Sequence, residues 1–505
     1  PWLIFIKAGY YNDLNNRTFS TGKYTWEDQS GKLSASEDSR IIVVDRPFVH
    51  LIGEDVNKVT IAQDRIAGSN ATDKSQPWYN VAEGATLVIK SNDFYAENLT
   101  IDNEWWTKYE GNETRGPQAL SLYVEADRVA FNNCRIRSYQ DTYLSPKTGN
   151  TNTGNNQPHY YDRNYFRNTM IEGAVDFIYG GGDVYFDNCT LNIVRESGGY
   201  IVAPSHYTDL KDNQGNITQV STRWGYVFKN TKITAPVGKE DKTQVYFGRP
   251  WHNEPKTVFI DTECRVKPYD GYWYPTMGAV PALWAVYNIW DKNGYKMSET
   301  SIEDYWYESN GETIRGKAKN FLTDEEAASY TLENVLSGDG SDATTGVWNP
   351  LPIVEQTAKP VISGIEGTAT FGWTADEYAI CYVININGKV AGFTTETHYE
   401  ANLNDVVTVQ SVNEYGALSE VSDEFIVGSI GTGVENTTLE NNISVIGGKG
   451  TISVRGIETA TDIKIYGING TLVQSLEVHR NVSLSVPAGQ YILKANNSVS
   501  KVLVY

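Results

Sequence analysis

The chain has 505 residues, of which 62 are acidic and 42 are basic, so its formal net charge is −20. The acidic excess is spread along the chain, which argues against nucleic acid or an anionic membrane surface as a partner. No apolar run reaches the roughly 18 residues that a membrane-spanning helix needs. The length predicts two to four domains or one large repetitive domain.

The composition favours strands and turns, with 44 Gly, 33 Tyr and 13 Trp. Aromatic and β-branched side chains suit a pleated surface, so we expect an all-β chain. The four cysteines and six histidines show no metal-binding spacing, and we expect neither a metal nor a cofactor. Residues 2–6 resemble a strand already under way, which leads us to expect that a preceding segment has been removed.

A short phrase recurs five times in the first half of the chain: an aromatic residue, an Asn and then a short strand. The intervals between successive Asn residues are 35, 35, 20 and 42 residues. Self-similar strands with insertions of variable length predict a right-handed parallel β-helix, in which about 20 residues form one coil. A β-sandwich with coincidental Asn turns is the less favoured alternative. The five residues are Asn98, Asn133, Asn168, Asn188 and Asn230.

Two aspartates share a position in this repeat. Asp141 follows Asn133 by 8 residues, and Asp176 follows Asn168 by 8 residues. Equal offsets on adjacent coils predict carboxylates stacked about 4.8 Å apart on one face. Two such close anions cannot both ionise cheaply, so one pKa should rise while the other stays low. The alternative is a solvated acidic ladder of turn residues.

The segments around this pair resemble, in order, the four signature blocks of the pectin methylesterases, and the resemblance extends over residues 1–352. It implies hydrolysis of the C6 methyl esters of homogalacturonan (pectin) to pectate and methanol by a pectinesterase, an aspartyl carbohydrate esterase. A β-helical lyase or polygalacturonase and a non-catalytic carbohydrate-binding surface protein are the alternatives. The four blocks are residues 116–122, 140–142, 173–180 and 248–251.

The resemblance also implies a role for each catalytic residue. Asp176 would attack the ester carbonyl as the nucleophile, and Asp141 would act as the general acid and then the general base. Gln118 and Gln140 would donate amide N–H groups to the oxyanion, and Arg249 would hold Asp176 ionised. Without the resemblance, the glutamines could form a structural amide ladder and the arginine could be a surface charge.

Three aromatic residues are the predicted substrate contacts. Trp251 would offer an apolar face to a sugar ring, with Phe177 and Tyr143 as further contacts. In the family an aromatic commonly stands three residues after the acid/base aspartate. Here Leu144 occupies that position and Tyr143 precedes it. The alternative for Trp251 is ordinary core packing.

Two smaller β domains are predicted after the β-helix. Residues 353–428 alternate in period 2 with N-G turns and resemble a fibronectin type III-like β-sandwich. Residues 429–505 resemble the C-terminal sorting domain of the type IX secretion system, or are one more sandwich module. The first of these readings implies contact with secretion machinery and a bacterial protein exported across the outer membrane, either secreted or attached to the cell surface. We expect a monomer.

Overall fold

The computed structural model divides the chain into two compact units, Pro1–Pro350 and Leu351–Tyr505. In the residues described, the longest α-helix has six residues, and no helix is long and apolar enough to span a membrane. The structure describes residues 2–12, 24–27, 33–36, 42–64, 84–109, 118–145, 163–206, 210–211, 214, 217–219, 224–299, 302–338, 348–351, 357–365, 367–413, 416–429, 443–448, 450–457, 459–496 and 498–504.

The first unit is a parallel β-helix whose coils contribute strands to three parallel sheets, of which the first two are continuous through one long strand. The first sheet contains Trp2–Ile6, Val49–Gly53, Phe94–Glu97, Val129–Asn132, Arg163–Arg167, Asp183–Asp187, Tyr226–Lys229, Lys256–Cys264 and Leu283–Asp291. The second contains Gly9–Tyr11, Val59–Gln63, Thr100–Asn103, Arg135–Arg137, Met170–Gly173, Thr190–Ile193 and Lys232–Thr234, and it joins the first through Lys256–Cys264. The third contains Ile42–Val44, Leu87–Ile89, Leu122–Val124, Tyr143–Ser145, Ile178–Gly180, Gly199–Pro204, Gln244–Gly248 and Lys267–Pro268.

The repeated Asn residues form the turn between the first and second sheets. All five have positive φ values, between 48° and 57°, a left-handed conformation that Asn tolerates better than most residues. Their amides also hydrogen-bond from coil to coil. Asn133 Nδ2 donates to Asn98 Oδ1, and Asn188 Nδ2 donates to Asn168 Oδ1, each at 2.6 Å. The repeat therefore marks the coil boundaries, as the sequence predicted.

The aromatic residues of the last four repeats, together with Phe259 on the next coil, fill the interior of the solenoid. Phe131, Phe166, Phe186, Phe228 and Phe259 stack face to face, with centroid distances of 5.1, 5.1, 4.3 and 4.4 Å. All five are buried. Because each ring covers the next, this column fixes the register between coils and therefore the register of the third sheet, which carries the site.

Shorter elements surround the coils. The helices are Trp105–Tyr109, Asp324–Ser329, Leu332–Val335 and the 3-10 turn Glu240–Lys242. The antiparallel pairs are Tyr24–Glu27 with Leu33–Ser36, Leu210–Lys211 with Ile217–Gln219, and Asp304–Ser309 with Glu312–Lys317. Buried Arg163 donates to Asp127 and to the carbonyl of Leu336 at the end of the last helix. This contact ties that helix to the β-helix.

The second unit is entirely antiparallel in its described sheets, and it contains two clusters of buried apolar residues. One cluster lies among Ile362–Gly364, Thr370–Trp373, Ala379–Ile386, Lys389–Thr394, His398–Glu400, Val406–Asn413 and Phe425–Ile426. The other lies among Ser444–Gly448, Thr451–Arg455, Thr461–Gly467, Leu472–Val478, Val482–Ser485, Gly489–Ala495 and Ser498–Val504. The predicted fold class, a parallel β-helix followed by antiparallel β structure, is confirmed. The division into domains at residues 352 and 428 stays a prediction.

Candidate active site

Asp141 and Asp176 occupy the same turn on adjacent coils, just before the third sheet. Both have positive φ, 61° and 48°. Tyr143 pairs with Ile178 in the sheet, and Gln140 bridges to Val175, which sets Asp141 opposite Asp176. Both aspartates are buried, with 3% and 6% exposure. The structure therefore brings the two carboxyl groups together in the register that the repeat predicts.

Arg249 binds Asp176 through two hydrogen bonds. Its Nε donates to Oδ1 at 2.8 Å and its Nη2 donates to Oδ2 at 2.5 Å. The arginine immediately follows the strand Gln244–Gly248, two coils beyond the strand that follows Asp176. A planar guanidinium that binds both carboxylate oxygens fixes the orientation of the carboxylate as well as its charge.

The two carboxyl groups differ in their electrostatic surroundings. Burial raises the pKa of Asp141 well above its ordinary value, and the negative charge of Asp176 raises it further. Arg249 and a hydrogen bond from Gln118 oppose that rise. Burial also raises the pKa of Asp176, but two interactions with Arg249 oppose this rise and no neighbouring anion adds to it. We therefore assign the proton that the pair holds to Asp141 and the negative charge to Asp176.

The two glutamines lie beside the pair in different ways. Gln118 directs its side chain to Asp141, where its hydrogen bond lowers the pKa of that group. Gln140 is the residue before Asp141, and its carbonyl accepts the backbone N–H of Ala119 at 3.1 Å. Both glutamines are half-buried. The amide of Gln118 is thus in contact with the carboxyl pair, and the backbone of Gln140 forms part of the turn.

Tyr143 and Phe177 do not reach the outer face. Both are fully buried within the interior core, and the Tyr143 hydroxyl donates to Asn164 Oδ1 at 2.6 Å. Side chains alternate along a strand, so when Tyr143 points inward its neighbour Leu144 points outward. Tyr143 and Phe177, which the sequence analysis predicted as substrate contacts, are therefore inaccessible to a ligand on the outer face.

The outer face beside the aspartates is a small apolar cluster, separate from the interior core. Leu144 and Tyr179 belong to it, and they face each other across adjacent coils. Trp251 packs against the cluster, with its ring centroid 5.5 Å from that of Tyr179. Trp251 is half-buried, so part of its surface is open to a ligand while the rest packs on Tyr179.

A tyrosine that the sequence analysis missed lies directly beside the ion pair. Tyr200 occupies the position of Asp176 on the following coil, because Ile178 pairs with Val202. The guanidinium carbon of Arg249 lies 4.2 Å from the centroid of the Tyr200 ring. A cation over an aromatic face is attracted by the ring quadrupole. Tyr200 thus supports Arg249 in the orientation that binds Asp176.

Two more tyrosines continue this column. Tyr246 stacks on Tyr200 with a centroid distance of 5.4 Å, and Tyr269 stacks on Tyr246 at 4.0 Å. The interplanar angles are 10° and 12°, so the three rings are nearly parallel. The stack restricts the movement of Tyr200 and hence of the ring face under Arg249.

A pH-dependent stability effect should follow from the raised pKa of Asp141. A carboxyl whose pKa is higher in the folded state contributes stability that is fully present below its unfolded pKa, about 3.9. That stability is lost as pH rises through the folded pKa, with a slope of about 1.4 kcal/mol per pH unit. The Asp141→Asn variant should lack this loss, so it should gain stability relative to the wild type between pH 4 and pH 8.

Urea unfolding of both proteins across that pH range measures the effect. The matched control is Asp304→Asn, which removes an exposed carboxyl of the same unit and should leave the slope of the wild type unchanged. A constant difference between Asp141→Asn and the wild type at all pH values would contradict the assignment of a raised pKa to Asp141.

A protein-family model described as Pectinesterase matches residues 40–339. Pectinesterase A of Dickeya dadantii is 28% identical over 375 residues, which cover 69% of this chain and 84% of that protein. Probable pectinesterase 49 of Arabidopsis thaliana is 32% identical over 220 residues, 44% of this chain and 49% of that protein. For two further Arabidopsis relatives, the match spans 36% and 50% of their length.

Two solved structures that align with this chain are described as pectin methylesterases. The pectin methylesterase from Yersinia enterocolitica is 23% identical, with a TM-score of 0.44, over 68% of this chain and 95% of that one. The pectin methylesterase PemA from Erwinia chrysanthemi is 24% identical, with a TM-score of 0.42, over 69% of this chain and 90% of that one.

Proposed function

Because the chain belongs to the pectinesterase family, we propose that it hydrolyses the C6 methyl esters of homogalacturonan, giving pectate and methanol. One observation carries the proposal: a buried carboxylate, Asp176, is held by both arms of Arg249 beside the more readily protonated Asp141. A charged carboxylate next to a protonated carboxyl supplies both a nucleophile and a proton for the leaving group.

The first half of the reaction uses the pair in this resting state. An Asp176 carboxylate oxygen forms a bond to the ester carbonyl carbon, and the carbonyl electrons move onto oxygen. Amide N–H groups of Gln118 and Gln140 donate to this oxyanion, each worth about 3 to 4 kcal/mol in comparable sites. The tetrahedral intermediate collapses, the methoxy group leaves with the proton of Asp141, and methanol and a mixed anhydride with Asp176 remain.

The second half regenerates the enzyme. Asp141, now ionised, accepts a proton from water as the water oxygen attacks the galacturonyl carbonyl carbon. The anhydride bond breaks, the sugar leaves as the neutral galacturonic acid, which ionises in solution, and Asp176 recovers its negative charge. Asp141 ends with the proton that it had at the start, so water is consumed and one methanol and one carboxylic acid are formed.

The charge of the site favours an esterified sugar over an ionised one. A galacturonate carboxylate at the same position would bring a third acidic group against Asp141 and Asp176, and Arg249 is already engaged by Asp176. A neutral methyl ester avoids this repulsion. We propose that Trp251 covers a sugar ring with the part of its surface that the apolar cluster leaves exposed.

The proposal is tested by incubating the full chain with highly methylated pectin. We expect methanol to be released while the number of reducing ends stays constant and no unsaturated product absorbs in the ultraviolet. New reducing ends would indicate a glycosidase, and unsaturated ends would indicate a lyase. Binding without any product would indicate a carbohydrate-binding protein, and each of these three outcomes would overturn the proposal.

For the second unit we propose a role in export. The support is the resemblance of residues 429–505 to a type IX secretion sorting domain, together with a buried apolar cluster of their own. On this proposal the protein is secreted or attached to the surface of a bacterium, and it acts as a monomer. Deleting residues 429–505 should then retain the protein inside the cell, which fractionation of the producing bacterium would measure.

A further inference from the structure

The hydroxyl of Tyr179 is a buried donor with no hydrogen bond of standard geometry in the described part of the chain. The residue is the middle one of the strand Ile178–Gly180 and is 5% exposed. A buried hydroxyl without a partner costs about 1 to 3 kcal/mol, and most native structures avoid such groups. A buried hydroxyl without a partner at position 179 therefore needs a physical explanation.

Packing fixes the direction of the Tyr179 ring. On one side it packs against Trp251, at a centroid distance of 5.5 Å. Along the sheet it stands beside Leu144 on the preceding coil and Ala203 on the following coil. All three neighbours are apolar side chains of the same outer cluster, so none of them offers an acceptor to the hydroxyl.

The carboxyl group that the hydroxyl faces is that of Asp141. Tyr179 lies near enough to lower the pKa of Asp141 as a hydrogen-bond donor, even though its geometry falls outside the standard hydrogen-bond limits. The other ionisable groups that act on Tyr179 are Tyr123, two coils before it in the third sheet, and Tyr226 in the first sheet. Those that act on Asp141 are Asp176 and Arg249. Among the described residues that act on the Tyr179 hydroxyl, Asp141 is therefore the one that carries a carboxyl group.

We propose that Tyr179 is a positioning residue that donates a hydrogen bond to Asp141 when Asp141 is ionised. The inference rests on the proposed function, because Asp141 ionises when it gives its proton to the departing methoxy group. In the resting pair Asp141 is protonated, so the hydroxyl has no anion to bind and its contact lies outside standard hydrogen-bond geometry. Poorly aligned contacts of this kind commonly tighten once the substrate is bound and the reaction proceeds.

The hydrogen bond has a defined consequence for the second half of the reaction. It stabilises Asp141 as a carboxylate while water replaces methanol, and it orients the oxygen that accepts the proton of water. Removing the donor should make Asp141 hold its proton more tightly. The protonated form, which is needed to expel methanol, should then persist to higher pH, and the ionised form, which is needed to activate water, should be scarcer at low pH.

The Tyr179→Phe variant keeps the ring and removes only the hydroxyl. We expect the descending limb of kcat/KM for methanol release to move to higher pH by about 0.5 to 1 pH unit, the effect of one hydrogen bond of ordinary strength. At pH values below the ascending limb of wild-type kcat, the kcat of the variant should be about 3- to 10-fold lower. At low pH, where Asp141 is protonated, stability should be equal or higher, because an unpaired buried hydroxyl is lost.

Tyr165→Phe is the matched control. Tyr165 is also buried, and its hydroxyl also donates to an aspartate, Asp187, at 2.9 Å, but it lies in the first sheet on a different side of the coil. Its loss should lower the melting temperature and leave both pH limbs where the wild type has them. A shift equal to that of Tyr179→Phe would overturn the specific role of Tyr179.

A second measurement does not depend on activity. In Tyr179→Phe, the loss of stability that accompanies ionisation of Asp141 should extend to higher pH than in the wild type, as measured by urea unfolding. If the wild type releases methanol and Tyr179→Phe shifts neither the limbs nor this loss, the inference about Tyr179 is wrong and the proposed function stands. If the wild type releases no methanol, the proposed function fails, and the unfolding data alone decide whether Tyr179 contacts Asp141.

Discussion

The Asp176→Asn variant should fold normally and lose at least about 10,000-fold in the rate of methanol release. An amide is a far weaker nucleophile than a carboxylate, and loss of a covalent nucleophile has effects of this size or larger in other hydrolases. The shape of the side chain is retained, and its remaining oxygen can still accept from Arg249. Methanol release under saturating pectin measures the effect, and circular dichroism checks the fold.

Asp304→Asn serves as the control for this substitution too. Its carboxyl is 86% exposed, so the same chemical change outside the site should leave methanol release within twofold of wild type, since surface substitutions usually have small effects. If Asp176→Asn retained more than a tenth of wild-type activity, Asp176 could not be the nucleophile, whatever the activity of the control.

Replacing Arg249 should have the second-largest effect. In Arg249→Lys a single ammonium cannot bind both oxygens of Asp176 or lie flat over Tyr200, and we expect methanol release to fall about 100-fold. In Arg249→Met the positive charge is gone as well. Asp176 would then be a buried carboxylate without a cation, which costs about 3 to 5 kcal/mol of folding stability when one partner of such a pair is removed.

The pH dependence of this cost has a definite sign. Without Arg249, the rise in the pKa of Asp176 that burial causes is no longer opposed, so the folded state takes up a proton at higher pH than in the wild type. The Arg249→Met variant should therefore be close to wild-type stability near pH 4 and progressively less stable towards pH 8. Arg265→Met, which removes an arginine paired with Glu240 and Glu263 at the surface, should show no comparable trend.

The stacking of the aspartates could be predicted because the repeat and the register coincide. Between the second and third sheets, six residues separate paired positions on both coils, from Arg137 to Tyr143 and from Glu172 to Ile178. Because this spacing is the same on both coils, two residues at the same offset from the repeated Asn lie at the same position on their coils. The Asn turn and its ladder, both local features, made that reference point visible in the sequence.

Tyr200 could not be found in the same way, because the next coil is longer. Ten residues separate Asn192 from Val202, the positions that pair with Glu172 and Ile178. An offset of eight from Asn188 therefore points to Glu196, and the four extra residues move Tyr200 into the place beside Asp176. Only the pairing of strands in three dimensions shows where on the coil these four extra residues are placed.

The inward direction of the Tyr143 side chain has a different cause. The resemblance to the family marked an aromatic near the acid/base aspartate, but the order of Tyr143 and Leu144 along the strand decides which side chain faces outward. Tyr143 fills the interior and leaves Leu144 outside. An aromatic surface next to the aspartates is then supplied by Trp251 and Tyr179, which are 72 residues apart in sequence and meet only through the coil stacking.

The most direct test of the central claim, that Asp176 attacks the ester while Asp141 supplies the proton, is a crystal structure of Asp176→Asn with a methylated oligogalacturonate bound. The claim predicts that a methyl ester carbonyl carbon lies about 3 to 3.5 Å from the side chain at position 176. It also predicts the methoxy oxygen next to Asp141 and the carbonyl oxygen next to the Gln118 amide. An oligosaccharide bound with its glycosidic oxygen at the aspartates, or with every methyl ester turned away from them, would contradict it.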